Sequence, residues 1–350
     1  MPLAKSGTAS AIGITLLILL GSNYFCLSQL RAAEDSPIST ESVTINLGYP
    51  LLAPTWGSTI ITRAKLWKKY LPNVEVNRQD FMSGMPVVNN MVAGKIDIGY
   101  FADMPAIALA SKSNLTETIF ISLTDADEGG AAVVYVKKGS PISSVKDLDG
   151  KRVSVPFGGY THRFAEVIEA AEGVKFDLVG QSPEVGLSSL QVGTVDAYIP
   201  WPPYGPLAVS QGFGQKLVDG TKYKFNSLRG VVVTKAFAEK YPKVVVGWLR
   251  AELDAHRILR DHPNYAAQLI FEDWKQYNIP LDVIKQDFSY KLFPDEITPE
   301  WRKVLTDGAV FLRNHKFIEN DVNINAFISD RYLKEAKENP SRLDESTIPK

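Results

Sequence analysis

A glycine turn in front of a helical pattern is the stretch of this sequence best suited to chemistry. The residues VPFGGYTH at 155–162 are predicted to end a buried strand, turn at two glycines and start an amphipathic helix near His162. The first N–H groups of a helix have no partner within it and carry about half a positive charge, so a small anion can bind there. Tyr160 and Thr161 add hydroxyl groups, and His162 adds a donor that can change its protonation. The same pattern is typical of an ordinary strand-to-helix turn.

Composition and charge argue against several classes of function. The 350 residues include 38 basic and 39 acidic residues, a formal net charge of −1, and they lack the basic stripe of a nucleic-acid-binding protein. We find no nucleophile elbow, phosphate-binding loop or metal-ligand spacing, so the sequence predicts neither catalysis nor a bound cofactor or metal. Of the four histidines, His256, His262 and His315 lie in helical, charged segments and are predicted to be surface residues.

The N-terminus has the features of a signal peptide for export. Lys5 precedes the apolar run AIGITLLILL at 11–20, and small residues at 32–33 suit cleavage, so residues 1–33 are predicted to be removed. The run is shorter than the ~20 apolar residues that span a bilayer. The only cysteine, Cys26, lies in this leader, so the mature chain is predicted to have no disulfide. We therefore expect a soluble exported protein, with lipid attachment as the less favoured alternative.

The chain from Val43 onward shows the alternation of an α/β fold. Strand, loop and helix patterns repeat three times between Val43 and Ala110, which predicts a mostly parallel sheet. GKIDIGY at 94–100 has a counterpart in GTVDAYIP at 193–200, so we expect two lobes of similar design. Ligands bind outside the carboxyl ends of strands in such sheets. Aromatic residues at or just beyond predicted strand ends are therefore candidate ligand contacts: Tyr49, Trp56, Tyr100, Tyr160, Trp201 and Tyr204.

Two charged segments are predicted to lie outside the sheets. Asp125, Asp127 and Glu128 follow a predicted strand and are expected in a solvated acidic loop, because the spacing of an EF-hand calcium loop is absent. Residues 242–317 are almost wholly helical in pattern. The final residues, 334–350, are charged and contain proline, which predicts a disordered tail.

Four motifs, taken in order, resemble the periplasmic solute-binding proteins of ABC importers for taurine, aliphatic sulfonates and nitrate. They are FMSGMPVVNNMVAGKIDIGYFADMPAIA at 81–108, GSPISSVKDLDGKRVSVPFGGYTH at 139–162, VGTVDAYIPWPPYGPL at 192–207 and VVVTKAFAEKYP at 231–242. The resemblance covers residues 43–333. It implies an α/β fold of two lobes, the type II periplasmic binding protein fold, with a ligand cleft between the lobes.

The same resemblance implies a division of the chain. Residues 43–132 would form the first lobe, 133–224 the second lobe, and 225–333 a return to the first lobe followed by C-terminal helices. The chain would cross between the lobes near 130–134 and again near 221–229.

The resemblance also implies a function and a set of ligand contacts. The mature chain would bind a small-molecule solute in the periplasm as a monomer and deliver it to an inner-membrane permease driven by a separate ATPase subunit. It would not be an enzyme. The positions that match the pocket of the family are Tyr49, Ser83, Asp103, Tyr160, Thr161, His162, Trp201 and Arg229. Thr161 and His162 lie in a motif similar to the one that holds a sulfonate in taurine binders.

The preferred ligand is a small organic anion or zwitterion of the taurine or alkanesulfonate type. Helix N–H groups, Thr161, His162 and Arg229 would hold its charged end. The sequence departs from taurine binders at Arg229, near the position where they carry an acid for the ligand amine. Arg229 can pair with a carboxylate of the ligand or of the protein, and both remain open at this point.

The alternative ligand is a small nitrogenous cation such as guanidinium. Asp103 and acids of the 125–128 segment, among them Asp127, would supply the negative charge, and Trp56 or Trp201 would add a cation–π contact. The rival class of function is a periplasmic enzyme of related fold. Such an enzyme needs an activated nucleophile, and the predicted mature chain contains no thiol.

Overall fold

Two β-sheets with helices on their faces form the structure, a computed structural model that describes residues 36–51 and 56–349. The first sheet has six strands, in the spatial order β11 (Lys291–Leu292), β4 (Thr118–Asp127), β10 (Ser227–Thr234), β3 (Ile98–Ala102), β1 (Thr44–Pro50) and β2 (Glu75–Phe81). β1 pairs in parallel with β2 and β3, whereas β10 is antiparallel to β3 and β4. The parallel part corresponds to the strand–helix repeats predicted from Val43 to Ala110.

The second sheet has five strands, in the order β7 (Asp177–Gly180), β6 (Arg152–Val155), β8 (Ala197–Tyr198), β5 (Val133–Lys137) and β9 (Gly214–Asp219). All five strands lie between β4 and β10 in the sequence, so the chain leaves the first sheet once and returns to it once. We call the six-stranded sheet with its helices the first lobe and the five-stranded sheet with its helices the second lobe. The predicted two-lobed α/β fold is confirmed.

Helices cover both sheets. The first lobe carries α1 (Trp56–Arg63), α2 (Gly84–Val92) and α3 (Asp103–Ala110), and the second lobe carries α4 (Tyr160–Glu172), α5 (Pro183–Val192) and α6 (Tyr204–Ser210). After β10 the chain is mostly helical, as predicted, with α7 (Lys235–Lys240), α8 (Pro242–Asp261), α9 (Pro263–Trp274), α10 (Leu281–Phe288), α11 (Pro299–Asn314), α12 (Ile324–Phe327) and α13 (Arg331–Glu338). α8 packs on α1, and α11 packs on α3 and also touches α4, so the C-terminal helices reach both lobes.

Two acids of the segment predicted as a solvated loop lie at the end of a strand instead, whereas Glu128 follows the strand and is exposed, as predicted. β4 extends through Asp127, and Asp125 and Asp127 are both fully buried. Buried carboxylates require partners, and Arg229 and Lys291 supply them from β10 and β11. Because neither partner is near these acids in sequence, the local pattern did not reveal the burial.

The strand ends show where the chain passes between the lobes. The two connections run through residues 128–132 and 220–226, close to the predicted crossings. The predicted signal peptide, residues 1–33, lies outside the described residues. The residue-level lobe boundaries at 43–132, 133–224 and 225–333 stay predictions.

The C-terminal segment is packed, in contrast to the predicted disordered tail at 334–350. Within the described part, α13 runs through Glu338, and the Arg342 backbone N–H donates to Tyr70 Oη at 2.7 Å. Arg342 Nη1 also donates to the Lys69 carbonyl at 2.7 Å, and Ile348 packs against the apolar core. These contacts attach the end of the chain to the first lobe.

One histidine predicted at the surface is fully buried. His256 lies on α8, with Nδ1 2.9 Å from Asp295 Oδ1 and Nε2 3.5 Å from Glu252 Oε1. Burial disfavours the charged ring, but the hydrogen bonds and charges of Asp295 and Glu252 outweigh it and raise the pKa of His256 to about 9. The ring is therefore charged at neutral pH.

Candidate functional site

A cavity of about 310 Å³ lies between the two lobes. Residues that end or follow β1, β3, β6 and β8 line it, as the rule for ligand sites in α/β sheets predicts. The side chains that bring polar atoms to its wall are Ser83, Asp103, Tyr160, Trp201 and Arg229. Much of the remaining wall is apolar, including Pro50, Met85, Met104, Phe157, Leu312 and Phe317. The cavity therefore suits a small solute with one polar end and a short apolar part.

Three helices begin at the wall of this cavity. The residues at their N-caps are Ser83 for α2, Ala102 for α3 and Gly159 for α4, and none of them makes a side-chain capping hydrogen bond. α3 already has a carboxylate in its first turn, because Asp103 Oδ1 accepts the Met104 N–H at 2.8 Å. α2 and α4, one from each lobe, thus direct uncapped helix starts toward the cavity.

Asp103 brings a buried carboxylate to the same wall. Its side chain is fully buried, and Oδ2 has no hydrogen-bond partner among the described residues. The nearest cation is Arg163 of the second lobe, with Nη2 3.8 Å from Oδ2. Burial raises the pKa of Asp103, although the Arg163 guanidinium opposes the shift. A ligand that donates a hydrogen bond to Oδ2 would satisfy an oxygen that has an ion pair but no hydrogen bond among the described residues.

Arg229 is held by carboxylates of the protein. Its Nη1 donates to Asp125 Oδ1 at 2.9 Å and to Asp127 Oδ2 at 3.2 Å. Burial disfavours the guanidinium charge, but these two acids outweigh it and raise the pKa of Arg229 well above its usual range. Asp127 also accepts the backbone N–H groups of Gly129 and Ala131 at 3.0 and 3.1 Å. Arg229 therefore joins the cavity wall to the first connection between the lobes.

A second set of buried contacts explains the position of Trp56. The indole Nε1 donates to Asp287 Oδ2 at 2.8 Å, and the fully buried ring packs on Trp274 with centroids 4.9 Å apart. Lys291 lies between the two acidic groups, 2.9 Å from Asp125 Oδ1 and 3.4 Å from Asp287 Oδ2. Trp56 begins α1 and does not line the cavity.

Tyr160 and Thr161 start α4 but have different surroundings. Tyr160 lines the cavity, and its hydroxyl donates to the Ala131 carbonyl at 3.3 Å, while the Arg229 guanidinium lies 5.8 Å from its ring centroid. Burial raises the pKa of the phenol, so it stays protonated. Thr161 is fully buried, does not line the cavity, and its Oγ1 has no hydrogen-bond partner among the described residues.

Tyr49 and His162 also lie outside the lining of the cavity. Tyr49 is fully buried beneath Arg78, whose guanidinium lies 4.3 Å from the ring centroid, and its hydroxyl accepts a hydrogen bond from Thr59 at 2.7 Å. His162 packs on Phe157, with ring centroids 4.7 Å apart. Burial lowers the pKa of His162, so its ring is neutral at pH 7.

The predicted residues thus divide into three groups. Ser83, Asp103, Tyr160, Trp201 and Arg229 come together at the cavity, Asp127 lies directly behind Arg229, and Tyr49, Trp56, Thr161 and His162 lie away from the wall. Their contacts with a ligand stay predictions. Sequence reasoning missed the apolar lining, including Met85, Phe157, Leu312 and Phe317. Met85 and Phe157 adjoin the predicted helix starts and could have been found, whereas Leu312 and Phe317 belong to the distant C-terminal region.

Comparisons with known sequences find a family and relatives that this chain resembles. The NMT1-like family matches residues 39–270. A putative aliphatic sulfonates-binding protein of Escherichia coli strain K12 is 26% identical over 257 residues, which cover 72% of this chain and 76% of the relative. The taurine-binding periplasmic protein of the same strain is 28% identical over 188 residues, 52% of this chain and 57% of the relative.

Solved structures show the same fold at low identity. The periplasmic aliphatic sulphonate binding protein SsuA from Escherichia coli has a TM-score of 0.73 at 21% identity, covering 84% of this chain and 100% of that chain. The nitrate-binding protein NrtA from Synechocystis PCC 6803 scores 0.66 at 15%, with 89% and 92% covered. The desulfurization enzyme DSZB also scores 0.66 at 15%, with 84% and 99% covered. Across the described residues, no helix has both the length and the apolar character needed to span a bilayer.

Proposed function

Because the chain belongs to the NMT1-like family, we propose that it is the solute-binding component of an ABC importer and captures a small organic anion or zwitterion of the taurine or alkanesulfonate type. Its relatives that bind sulfonates or taurine support the class of function. The observation that carries the proposal is that α2 and α4, from different lobes, begin uncapped at one cavity.

The two helix starts suit the anionic end of such a ligand. A sulfonate has several oxygen acceptors that share one negative charge, and N–H groups at two helix N-termini can bind them while the helix dipoles favour the charge. The Ser83 hydroxyl adds a donor at the same place, since it does not cap its own helix. Arg229 adds positive potential, although Asp125 and Asp127 already pair with its guanidinium.

Asp103 suits a cationic end. Its Oδ2 is buried and lacks a hydrogen-bond partner among the described residues, so an ammonium group placed there would gain a charge-assisted hydrogen bond. A zwitterion would then connect the helix starts to Asp103, with its short alkyl part against Met104 and Phe157. The cavity volume of about 310 Å³ lies at the lower end of the range for small-molecule sites.

Binding would stabilise the closed arrangement of the lobes. A ligand favours closure only if it contacts both lobes, and the N-termini of α2 and α4 meet that condition. In the proposed cycle the protein acts as a monomer in the periplasm and presents its closed form to a permease driven by a separate ATPase subunit. The connections at 128–132 and 220–226 are the hinge, and Asp127 ties the first of them to Arg229.

The buried charges disfavour the alternative ligand, a guanidinium-type cation. Asp125 and Asp127 pair with Arg229 and Lys291, so they are not available as counterions.

We also prefer binding without catalysis to an enzymatic function, although the enzyme DSZB has the same fold. The residues that line the described cavity include neither a cysteine nor a histidine, so the lining holds no thiol nucleophile and no serine–histidine pair.

Calorimetric titration of the mature chain, residues 34–350, with taurine, ethanesulfonate and guanidinium tests the proposal. Wild-type protein is expected to bind both sulfonates. Asp103→Asn should weaken taurine binding by at least about tenfold and leave ethanesulfonate, which has no amine, nearly unchanged. Asp177→Asn, an exposed acid at the start of β7, is the matched control and should change neither affinity.

Two outcomes would contradict the proposal. Wild-type protein that binds guanidinium but neither sulfonate would assign the site to a cation. Equal losses of both sulfonates in Asp103→Asn would mean that Asp103 shapes the cavity and does not contact an amine.

A further inference from the structure

Three potential metal ligands meet beside the cavity, and none of them lines it. His162, Glu166 and His315 each direct a ligand atom into one cluster, in which these atoms lie within 4.8 Å of one another. The closest pair is His315 Nε2 and Glu166 Oε1, 2.6 Å apart. The His162 and His315 ring centroids are 5.3 Å apart.

The cluster joins the two lobes. His162 and Glu166 lie four residues apart on α4 of the second lobe, a spacing that places both side chains on one face of the helix. His315 directly follows α11, which packs on α3 of the first lobe. An ion bound by all three residues would therefore connect the lobes.

The orientation of the His315 ring suits metal binding. Its Nδ1 lies 2.9 Å from the Phe311 carbonyl oxygen, so Nδ1 carries the proton and donates it to that oxygen. Nε2 faces Glu166 Oε1 across a 2.6 Å hydrogen bond, and a metal ion would take the place of the proton between these two atoms. A histidine that ligates a metal commonly has its other nitrogen fixed by a carbonyl in this way.

Neighbouring groups hold the His162 ring in place beside Glu166 and His315. The Gly158 backbone N–H donates to its Nδ1 at 3.3 Å, which is long for such a hydrogen bond. Phe157 and Phe311 hold the ring from two sides, with centroids 4.7 and 5.1 Å away. His162 is 6% exposed, whereas the Glu166 and His315 side chains are about one third exposed and leave a path for an ion.

We propose that His162, Glu166 and His315 form a site for a divalent transition metal of the Zn²⁺ type that links α4 of the second lobe to the end of α11. Two imidazoles and one carboxylate are a donor set that Zn²⁺ accepts with a water in the fourth position, whereas Mg²⁺ and Ca²⁺ prefer oxygen ligands. The site needs no solute, so it stands or falls independently of the proposed transport function.

The test uses Zn²⁺ alone and untagged mature protein, because a polyhistidine tag would bind the same ion. After treatment with a chelator, the protein is titrated with Zn²⁺ at pH 7.5 against a chromophoric competitor. We expect one equivalent bound with Kd on the order of 1 µM or tighter. Glu166→Gln and His315→Ala should each weaken binding at least about tenfold, and excess Mg²⁺ should not displace the ion.

A matched control separates this site from other surface histidines. His262→Ala removes a partly exposed histidine near Glu345 and should leave the Zn²⁺ affinity unchanged. Circular dichroism and the melting temperature without metal check that each variant folds, and Glu166→Gln preserves the shape of a partly exposed side chain. Wild-type protein that binds less than one equivalent, or binding that both Glu166→Gln and His315→Ala leave intact, would overturn the proposal.

A distance measurement tests the link between the lobes. Cysteines introduced at Leu115 of the first lobe and Val192 of the second, both well exposed, can carry spin labels because the predicted mature chain has no other thiol. Zn²⁺ should narrow the distribution of label-to-label distances in this background and not when His315→Ala is added. The same narrowing with and without His315 would show that the ion does not act through this cluster.

Discussion

Replacing Ser83 by alanine separates ligand binding from helix capping. A serine at the N-cap usually accepts an N–H of its own helix, and its removal then costs about 1 kcal/mol. Ser83 makes no such bond, and it lines the cavity. Ser182 provides the comparison, because it is the N-cap of α5 and accepts the Val185 N–H at 3.4 Å.

The two substitutions should affect different quantities: Ser83→Ala the ligand affinity and Ser182→Ala the stability. Ser83→Ala should leave the unfolding free energy of the ligand-free protein nearly unchanged. It should weaken sulfonate binding by about 1.5–3 kcal/mol, the usual value of a hydrogen bond to a charged group, or roughly tenfold to 150-fold in Kd. Ser182→Ala should lower the unfolding free energy by about 1 kcal/mol and the melting temperature by roughly 2–4 °C, with no change in Kd.

Thermal melts of both ligand-free variants, followed by calorimetric titration with ethanesulfonate, measure these effects. A Ser83→Ala variant that loses about 1 kcal/mol of stability and keeps its affinity would refute the reasoning. It would show that the hydroxyl caps α2 in solution, and the start of that helix would then not be free for a ligand.

Two further predictions concern buried charges. His256 has a pKa of about 9 in the folded protein against about 6.5 unfolded, so its contribution of about 3 kcal/mol is complete below pH 6.5 and is lost as the pH rises through 9. Urea unfolding at pH 6, 7.5 and 9 should show this decline, and a decline of the same size in His256→Gln would contradict it. Arg229→Met leaves Asp125 and Asp127 without their shared partner and should destabilise the ligand-free protein by about 3–5 kcal/mol. Unchanged urea stability with lost sulfonate binding would instead make Arg229 a residue dedicated to the ligand.

Local rules predicted the architecture and the helix starts. Three repeats of strand, loop and helix gave the parallel part of the first sheet, and the glycine turn at 158–159 indeed leads into α4, which begins at Tyr160, two residues before the predicted start. Gly158 has a positive φ of 75°, a conformation that favours glycine, so a glycine at this position predicts the turn. Such features depend on a few neighbouring residues, and this is why a single sequence reveals them.

The buried charges depend on residues far apart in the chain. Asp125 pairs with Arg229, 104 positions later, and with Lys291, 166 positions later. A run of acids looks solvated until those partners are known. His256 illustrates the same difficulty, because Glu252 lies one turn away on α8 but the closer partner, Asp295, comes from a loop beyond α10.

The direction of a side chain decided which candidate residues reached the cavity. Ser83, Asp103 and Tyr160 reach it as the N-cap or first residue of a helix, positions that the backbone itself directs to the ends of the strands. The aromatic ring of Tyr49 near the end of β1 predicts a ligand contact, yet successive side chains of a strand point to opposite faces. The next residue, Pro50, lines the cavity, while the Tyr49 ring packs beneath Arg78.

The direction of its side chain also explains why Trp56 does not reach the cavity. Its position after the first strand was predicted well, but its ring turns inward to Asp287, a residue 231 positions away. The backbone alone sets the direction of the N–H donors at a helix start. The direction of an aromatic ring depends on the residues against which it packs. For a cleft between two α/β lobes, the sequence therefore locates backbone donors at helix starts, and these donors indicate an anionic ligand. Aromatic residues near strand ends are weaker indicators of the shape of that ligand, because their rings can turn away from the cleft.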